Sequence, residues 1–241
     1  MGLKFNLTKN GSLDKSTRLP KGDYRFTFDV VLPSNLPSSF KKKYKNDNVG
    51  LICYSIGVVI EREHSEKPIE KWLPFKVENP VNLNEYPLLR RRLVINNKPA
   101  KFLCWKSNRS VQFEATLNKG AFVSGDNLVL DLLIKNTTNH IVKDLKLCLL
   151  SRTTFDVGKR GQKSFDSILA SLDLQLIVYP KTSHDLKNLS LKIPNLICLS
   201  FGECKMLKKC YYLIVRNRFN EKTYFTIPIL IGSLPFMKND L

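Results

Sequence analysis

Long hydrophobic runs are missing from this chain. No stretch of about 18 uninterrupted apolar residues occurs, so the sequence predicts no membrane span. The start, Met1-Gly2-Leu3-Lys4-Phe5-Asn6-Leu7-Thr8, holds no apolar core of the signal-peptide kind, which points away from secretion and toward an intracellular protein. Histidine is scarce: His64, His140 and His184 stand alone in polar surroundings, none with a second ligand at metal-binding spacing, and each is expected in a surface loop. G-x-S-x-G, H-E-x-x-H and a glycine-rich phosphate loop are absent. Lys159-Arg160-Gly161-Gln162-Lys163-Ser164 ends like a phosphate loop but lacks its glycine spacing and a following helix. These gaps predict no enzyme, no metal and no cofactor.

Cysteine pairs at C-x-x-C spacing are also missing, and Cys204 and Cys210 are separated by five residues. With no oxidising compartment implied, Cys53, Cys104, Cys148, Cys198, Cys204 and Cys210 are expected as reduced thiols, most of them buried in apolar runs. Acidic residues form the last shortage, 21 Asp+Glu against 39 Lys+Arg, for a formal charge of +18. Hydrophobic residues at 43% and charged residues at 25% match an ordinary folded chain, which excludes general disorder.

What is present is β pattern. Tyr24–Leu32 alternates apolar with polar and ends at Pro33, and Leu51–Ile60 is rich in β-branched residues and long enough for one strand. Trp72–Val77 is a shorter edge candidate, because Pro74 cannot donate to a ladder. Further strands are predicted at 111–117, 128–136, 142–154, 171–178, 187–193, 210–215 and 224–231. The single helix candidate is short, Gly161 to Leu172. Clusters of Gly, Pro, Asn and Asp between the runs suggest antiparallel sandwiches. The prolines and asparagines of Asn79–Pro87, followed by Leu88-Leu89-Arg90-Arg91-Arg92, mark a connection between two blocks. The expected organisation is a polar lead over 1–19, a partial first domain over 20–80, a connection over 81–108, a complete seven-stranded domain over 109–235 and a tail over 236–241.

Several of these pieces resemble a known family. Leu32-Pro33-Ser34-Asn35-Leu36-Pro37-Ser38-Ser39-Phe40 has the form L-P-x-x-x-P-x-S-F, follows a Gly22-led strand, and precedes Gly50-Leu51-Ile52-Cys53-Tyr54, of the form G-x-I-x-Y. Lys119-Gly120-Ala121-Phe122-Val123-Ser124-Gly125-Asp126 is similar to a hairpin that usually carries Pro where Ser124 stands. Leu191–Pro194, Cys210–Val215 and Ile227–Gly232 follow in the same order. The chain resembles the arrestin-domain-containing proteins, or α-arrestins. That resemblance implies an all-β protein of two immunoglobulin-like antiparallel β-sandwich domains, the first one truncated and therefore less stable than the second.

It also implies a non-catalytic adaptor that binds cytoplasmic tails of membrane proteins, or trafficking proteins, in endocytic or endosomal transport. Such a protein would be cytoplasmic and peripheral at endosomes or the plasma membrane. The phosphate-sensing basic residues of visual and β-arrestins match no position here, and no P-P-x-Y ligase-recruiting motif occurs. The candidate patch for an anionic partner is Lys41, Lys42, Lys43 and Lys45 with Arg90, Arg91 and Arg92; Lys205, Lys208 and Lys209 form a third cluster. An acidic lipid surface is a further candidate partner. Alternatives are a retromer-like scaffold of the same fold, a basic β-sandwich nucleic-acid binder, and a nonfunctional fragment of a longer adaptor. Aromatic residues placed inside apolar strands, rather than on a stacking platform, count against nucleic acid.

Overall fold

In the computed structural model the protein is all β. The structure describes residues 22–23, 25, 29–34, 36–44, 47–60, 67–96, 110–156, 158, 161–195, 204–220 and 222–237. Contacts divide the chain into Met1–Pro33 and Ser34–Leu241. Of the strand expected at Tyr24–Leu32, Tyr24 and Phe26–Phe28 lie outside the described residues, and Asp29–Leu32 carry no ladder, with Val31 93% exposed.

The larger unit opens with two hairpins. Strands β1 (Phe40–Tyr44) and β2 (Asp47–Ile52) pair antiparallel, and so do β3 (Tyr54–Ile60) and β4 (Ile69–Phe75). The single strand expected over Leu51–Ile60 is therefore divided. At Cys53 the chain changes partner, from β1 opposite Ile52 to Phe75 of β4 opposite Tyr54, and one residue drops out of both ladders. Two short 3-10 turns, Leu83–Glu85 and Pro87–Arg90, lead into β5 (Leu93–Asn96). Although Leu93–Asn96 fell within the expected connection, it pairs with β6 as an edge strand of the second block.

Among the described residues nine strands build that second block, where seven were expected. The four-stranded sheet runs β11-β8-β6-β5, from Ser183–Lys192 (β11), Asn127–Asn136 (β8) and Val111–Leu117 (β6) to β5. The five-stranded sheet runs β10-β9-β12-β13-β7, with β10 at Gln162–Val178, β9 at Val142–Asp156, β12 at Leu207–Asn217, β13 at Thr223–Gly232 and β7 at Ala121–Val123. Every named ladder is antiparallel except β7 beside β13, where Leu230 stands opposite Ala121. Between the sheets the inward positions of each strand meet: Phe113, Ala115 and Leu117 from β6, Leu128, Leu130, Leu132 and Ile134 from β8, Leu145, Leu147 and Leu149 from β9, Leu213 and Val215 from β12. Each of these is at most 2% exposed, and burying such a side chain contributes about 1.5–3 kcal/mol. Buried Asn136 closes one end, its Nδ2 donating to the carbonyl oxygens of His140 and Val178 at 2.8 and 3.1 Å.

The stretch Gly161–Leu172, the one place where a short helix was a candidate, instead supplies the first two-thirds of β10. Its residues pair with β9 from Gln162 opposite Asp156 onward, and a bulge at Leu169 shifts the register between Ile168 and Ala170. No helix among the described residues is long and apolar enough to cross a membrane.

Strands β9, β10 and β12 run on past the main core, and their ends carry a separate cluster of Phe155 and Leu207 with Phe165 and Cys204. Phe40 of β1 and Ile52 of β2 cover it, with the Phe40 and Phe165 rings 6.2 and 5.8 Å from Phe155. The turn before β1 is fixed in turn. Buried Ser38 accepts the Asn79 N–H at 2.9 Å, the Ser39 N–H donates to the Val77 carbonyl at 2.8 Å, and the Tyr54 hydroxyl donates to the Pro37 carbonyl at 2.6 Å. The Pro-Ser-Ser-Phe turn and the Tyr that follows in sequence thus meet in space.

Candidate outer-face cleft on the five-stranded sheet

Alternation along a strand decides which side chains share a face. On β9, Arg152 and Thr154 point away from the sandwich core while Thr153 and Phe155 point inward. Register then brings specific neighbours beside them. Asp166 and Ser164 of β10 stand opposite Arg152 and Thr154 on one side, and Cys210 and Lys208 of β12 on the other. The result is a cleft of about 260 Å³ lined by Arg152, Thr154, Asp156, Gln162, Lys205, Lys208, Cys210 and Tyr212.

Arg152 is held in a fork. Its Nε donates to Asp166 Oδ1 at 2.8 Å and its Nη2 to Oδ2 at 2.7 Å, while the guanidinium lies 5.7 Å from the Tyr212 ring centre. The hydrogen bond from Arg152 holds the Asp166 carboxyl below the usual carboxylate range, and the same bond raises Arg152. Burial, helped by Cys210, pushes the Tyr212 hydroxyl up, so it stays a neutral donor. Thr154 Oγ1 and Ser164 Oγ share a hydrogen bond of 2.8 Å. Lys205 and Lys208 are exposed and have no carboxylate partner among the described residues. The arrangement offers cationic and hydroxyl donors together, which suits an anion.

The structure distributes the sequence-predicted patch rather than assembling it. Lys41 and Lys43 are exposed on one face of β1, while half-buried Lys42 shares the opposite face with Phe40. Lys45 lies outside the described residues. Arg90 ends the second 3-10 turn, and exposed Arg91 and Arg92 lead into β5, which belongs to the four-stranded sheet. The two runs therefore sit on different sheets. Lys209, grouped in sequence with Lys208, turns the other way, its Nζ 5.4 Å from the Tyr211 ring. Arg152 was not singled out in sequence, since it stands alone between Ser151 and Thr153; its membership of the cleft depends on pairing between β9, β10 and β12.

Among the described residues no three His, Cys, Asp or Glu side chains group as metal ligands. His140 lies in a turn, His184 on β11 rather than in a loop, both exposed; His64 lies outside the described residues. The four described cysteines are unpaired, but only Cys148 is buried. Cys53 is exposed because it falls at the break between β2 and β3, a correction to the expectation of mostly buried thiols. Cys104 and Cys198 are outside the described residues.

Comparison with known proteins is consistent along the chain. The model of the arrestin (or S-antigen) N-terminal domain matches residues 4–84, beginning inside the stretch read as a polar lead, and the model of the arrestin (or S-antigen) C-terminal domain matches residues 107–236. Arrestin domain-containing protein 17 of Caenorhabditis elegans is 24% identical over 237 residues, covering 96% of this chain and 53% of the relative. Arrestin domain-containing protein 1 of Homo sapiens is 24% identical over 225 residues, covering 92% of this chain and 49% of the relative. The chain spans about half the length of these relatives. With the second domain model alone covering more than half of its residues, and the sandwich that model implies in place, the chain belongs to the arrestin family.

Proposed function

We propose that this protein is a non-catalytic adaptor that binds cytoplasmic segments of membrane proteins during endocytic or endosomal transport, working from the cytoplasm as a peripheral protein. Arrestin-family membership makes the adaptor role the parent reading, and the succession of N-terminal and C-terminal domain matches is the observation that carries it. The surface supports recognition by charge. Lys41 and Lys43 on β1, Arg91 and Arg92 before β5, and Lys205 and Lys208 beside Arg152 present separate cationic patches that raise the local concentration of acidic or phosphorylated tails. Nucleic acid fits less well: Phe113, Phe122, Phe155, Tyr211 and Phe225 are buried, and the exposed Trp72, Tyr179 and Phe219 stand on β4, after β10 and after β12 rather than along one strand.

An array of cytoplasmic-tail peptides, phosphorylated and unphosphorylated, tests the reading. The expected outcome is binding to a subset of tails with affinity that falls as salt rises. Lys41→Glu with Lys43→Glu should weaken the acidic subset. No bound tail, together with a partner that co-purifies at fixed stoichiometry, would replace the adaptor with a retromer-like scaffold.

A further inference from the structure

We propose that Ser164 of this chain is a phosphorylation site, and that the cations beside it on the outer face hold the phosphate once it is attached. This goes beyond the adaptor role and does not depend on it. The run Lys159-Arg160-Gly161-Gln162-Lys163-Ser164-Phe165 fails as a phosphate loop, yet it places cations five, four and one residues before a hydroxyl, with an aromatic ring directly after. A kinase with an acidic substrate groove recognises such a charge pattern. Ser164 is exposed near the start of β10, an edge strand whose one ladder among the described residues is with β9. Only that ladder must open for the segment to enter a kinase as an extended peptide. Thr154, its partner on β9, is held between two ladders and is the poorer acceptor.

Register supplies the groups that hold the phosphate. Ser164, Thr154 and Lys208 form one outward row across β10, β9 and β12, and Arg152 stands on the diagonal from Ser164. Diagonal neighbours on antiparallel strands lie about 7–8 Å apart, within reach of long side chains. Lys205 and Lys208 have no carboxylate partner among the described residues, and Arg152 keeps Nη1 beyond the two bonds it gives Asp166. Asp166 and Asp156 oppose a phosphate, but Asp166 is already bound by Arg152 and Asp156 accepts the Gly158 N–H at 2.9 Å. The other serines of β10 lack this setting: Ser167 points inward opposite Ser151, and Ser171 lies beside Cys148, itself next to Ile214. In the transfer, Ser164 Oγ bonds to the γ-phosphorus of ATP, the bond from that phosphorus to the β-phosphate oxygen breaks, and ADP leaves. The hydroxyl, hydrogen-bonded to Thr154 Oγ1 at 2.8 Å, gives its proton to the kinase's base. A group carrying about −1.5 to −2 charges then draws Lys205, Lys208 and Arg152 together, tying the start of β10 across to β12 and taking these cations from any acidic partner.

The first test incubates the full chain with ATP and a panel of serine/threonine kinases that select basic residues before the acceptor, beside a peptide of residues 159–168. Mass spectrometry should place a phosphate on Ser164 in both, and Ser164→Ala should remove the main modified species. A peptide modified while the folded chain is not, or neither modified, overturns the acceptor. Phosphoserine installed at position 164 during translation then tests the cleft by phosphorus NMR. In the full chain its second ionisation should lie about half a pH unit or more below that of the phosphorylated peptide, because nearby cations favour the dianion. Lys205→Ala with Lys208→Ala should return it to the peptide's value, whereas Lys41→Ala with Lys43→Ala should leave it where it was. All four lysines are exposed, and circular dichroism establishes that both variants are folded. A titration in the full chain equal to the peptide's, or one unmoved by the cleft variant, overturns the proposal. Binding of the unmodified protein to the tail array is read separately, so failure here leaves the adaptor in place.

Discussion

At Gly50 a hydrogen is the only side chain that fits. A Cβ there would lie 2.2 Å from Phe155 Cε1 and 2.8 Å from Cζ, and Phe155 is itself confined by Phe40 and Phe165. Gly50→Ala should therefore separate the β1–β2 hairpin from the ends of β9 and β12, at a cost of about 1–3 kcal/mol, the usual range for overpacking. Chemical denaturation should show the lowered midpoint, and Gly50→Ala combined with Phe155→Leu should regain part of it; a single variant as stable as the parent would show that the ring moves freely. Tyr54 makes a second tie to the same region through its bond to the Pro37 carbonyl. Burial first, then nearby Cys204, raises its hydroxyl pKa. A phenol raised in the folded state keeps its full contribution below the unfolded value, about pH 10, and loses it as pH rises through the folded value. Tyr54→Phe should cost about 1 kcal/mol at neutral pH, and the gap between the two proteins should narrow above pH 10. A gap that stays constant to pH 11 would place the titration elsewhere.

At the scale of the element, β10 shows why a strand can look helical. Phe165, Ile168, Leu169 and Leu172 fall at helical spacing in the sequence. In the sheet, Phe165 and Ser167 stand opposite the inward Thr153 and Ser151 of β9, while Ala170 and Leu172 stand opposite inward Leu149 and Leu147. The bulge at Leu169 switches the inward set from odd to even numbers, and two strand phases joined this way imitate a helix. Strands without such a shift, β6 above all, were legible from alternation, and so was the Pro37–Phe40 turn from its residues. The cleft was legible only in its lysines: which neighbours Arg152 and Thr154 have is set by ladders between distant segments, and no local pattern encodes that. A bulge also predicts tolerance. Deleting Leu169 leaves Ile168 opposite Leu150 and Ala170 opposite Leu149 in regular alternation, so the protein should still fold, losing only the packing of that side chain. Deleting Cys148 from β9, which is paired on both sides, would exchange inward and outward residues along half the strand. Circular dichroism and denaturation of the two variants should separate them, and equal damage would mean that the bulge is fixed by contacts the register does not reveal.

Across the whole molecule, core is unevenly distributed. Among the side chains described from Ser34 to Pro80 no hydrophobic one is buried, whereas the sandwich formed from β5 onward holds nearly the whole buried apolar set. Strands β3 and β4 form a two-stranded sheet with Ile56, Val58, Val59, Ile69, Trp72 and Leu73 all exposed, and a lone hairpin of this kind is marginal in water. Attachment to the sandwich also differs between segments. Residues 81–83 are anchored to it, with Leu83 1% exposed and so close to Gly232 that a Cβ there would lie 2.5 Å from Leu83 Cδ2. By contrast, the contacts of β1–β2 with the sandwich among the described side chains run through Phe40, Ile52 and Gly50. Local opening energies follow such burial. Amide hydrogen exchange should thus be graded: slowest in β8, β9 and β12, faster in β1–β2, and fastest in β3–β4, with β3–β4 opening independently of the rest. Adding a tail peptide that docks on the exposed apolar hairpin would slow β3–β4 alone, whereas one held by the outer-face cleft would slow the adjoining ends of β9, β10 and β12. Uniform protection from Phe40 to Gly232 in the free protein would mean that the hairpins share the sandwich's cooperative unit, and the stability difference argued from burial would be wrong.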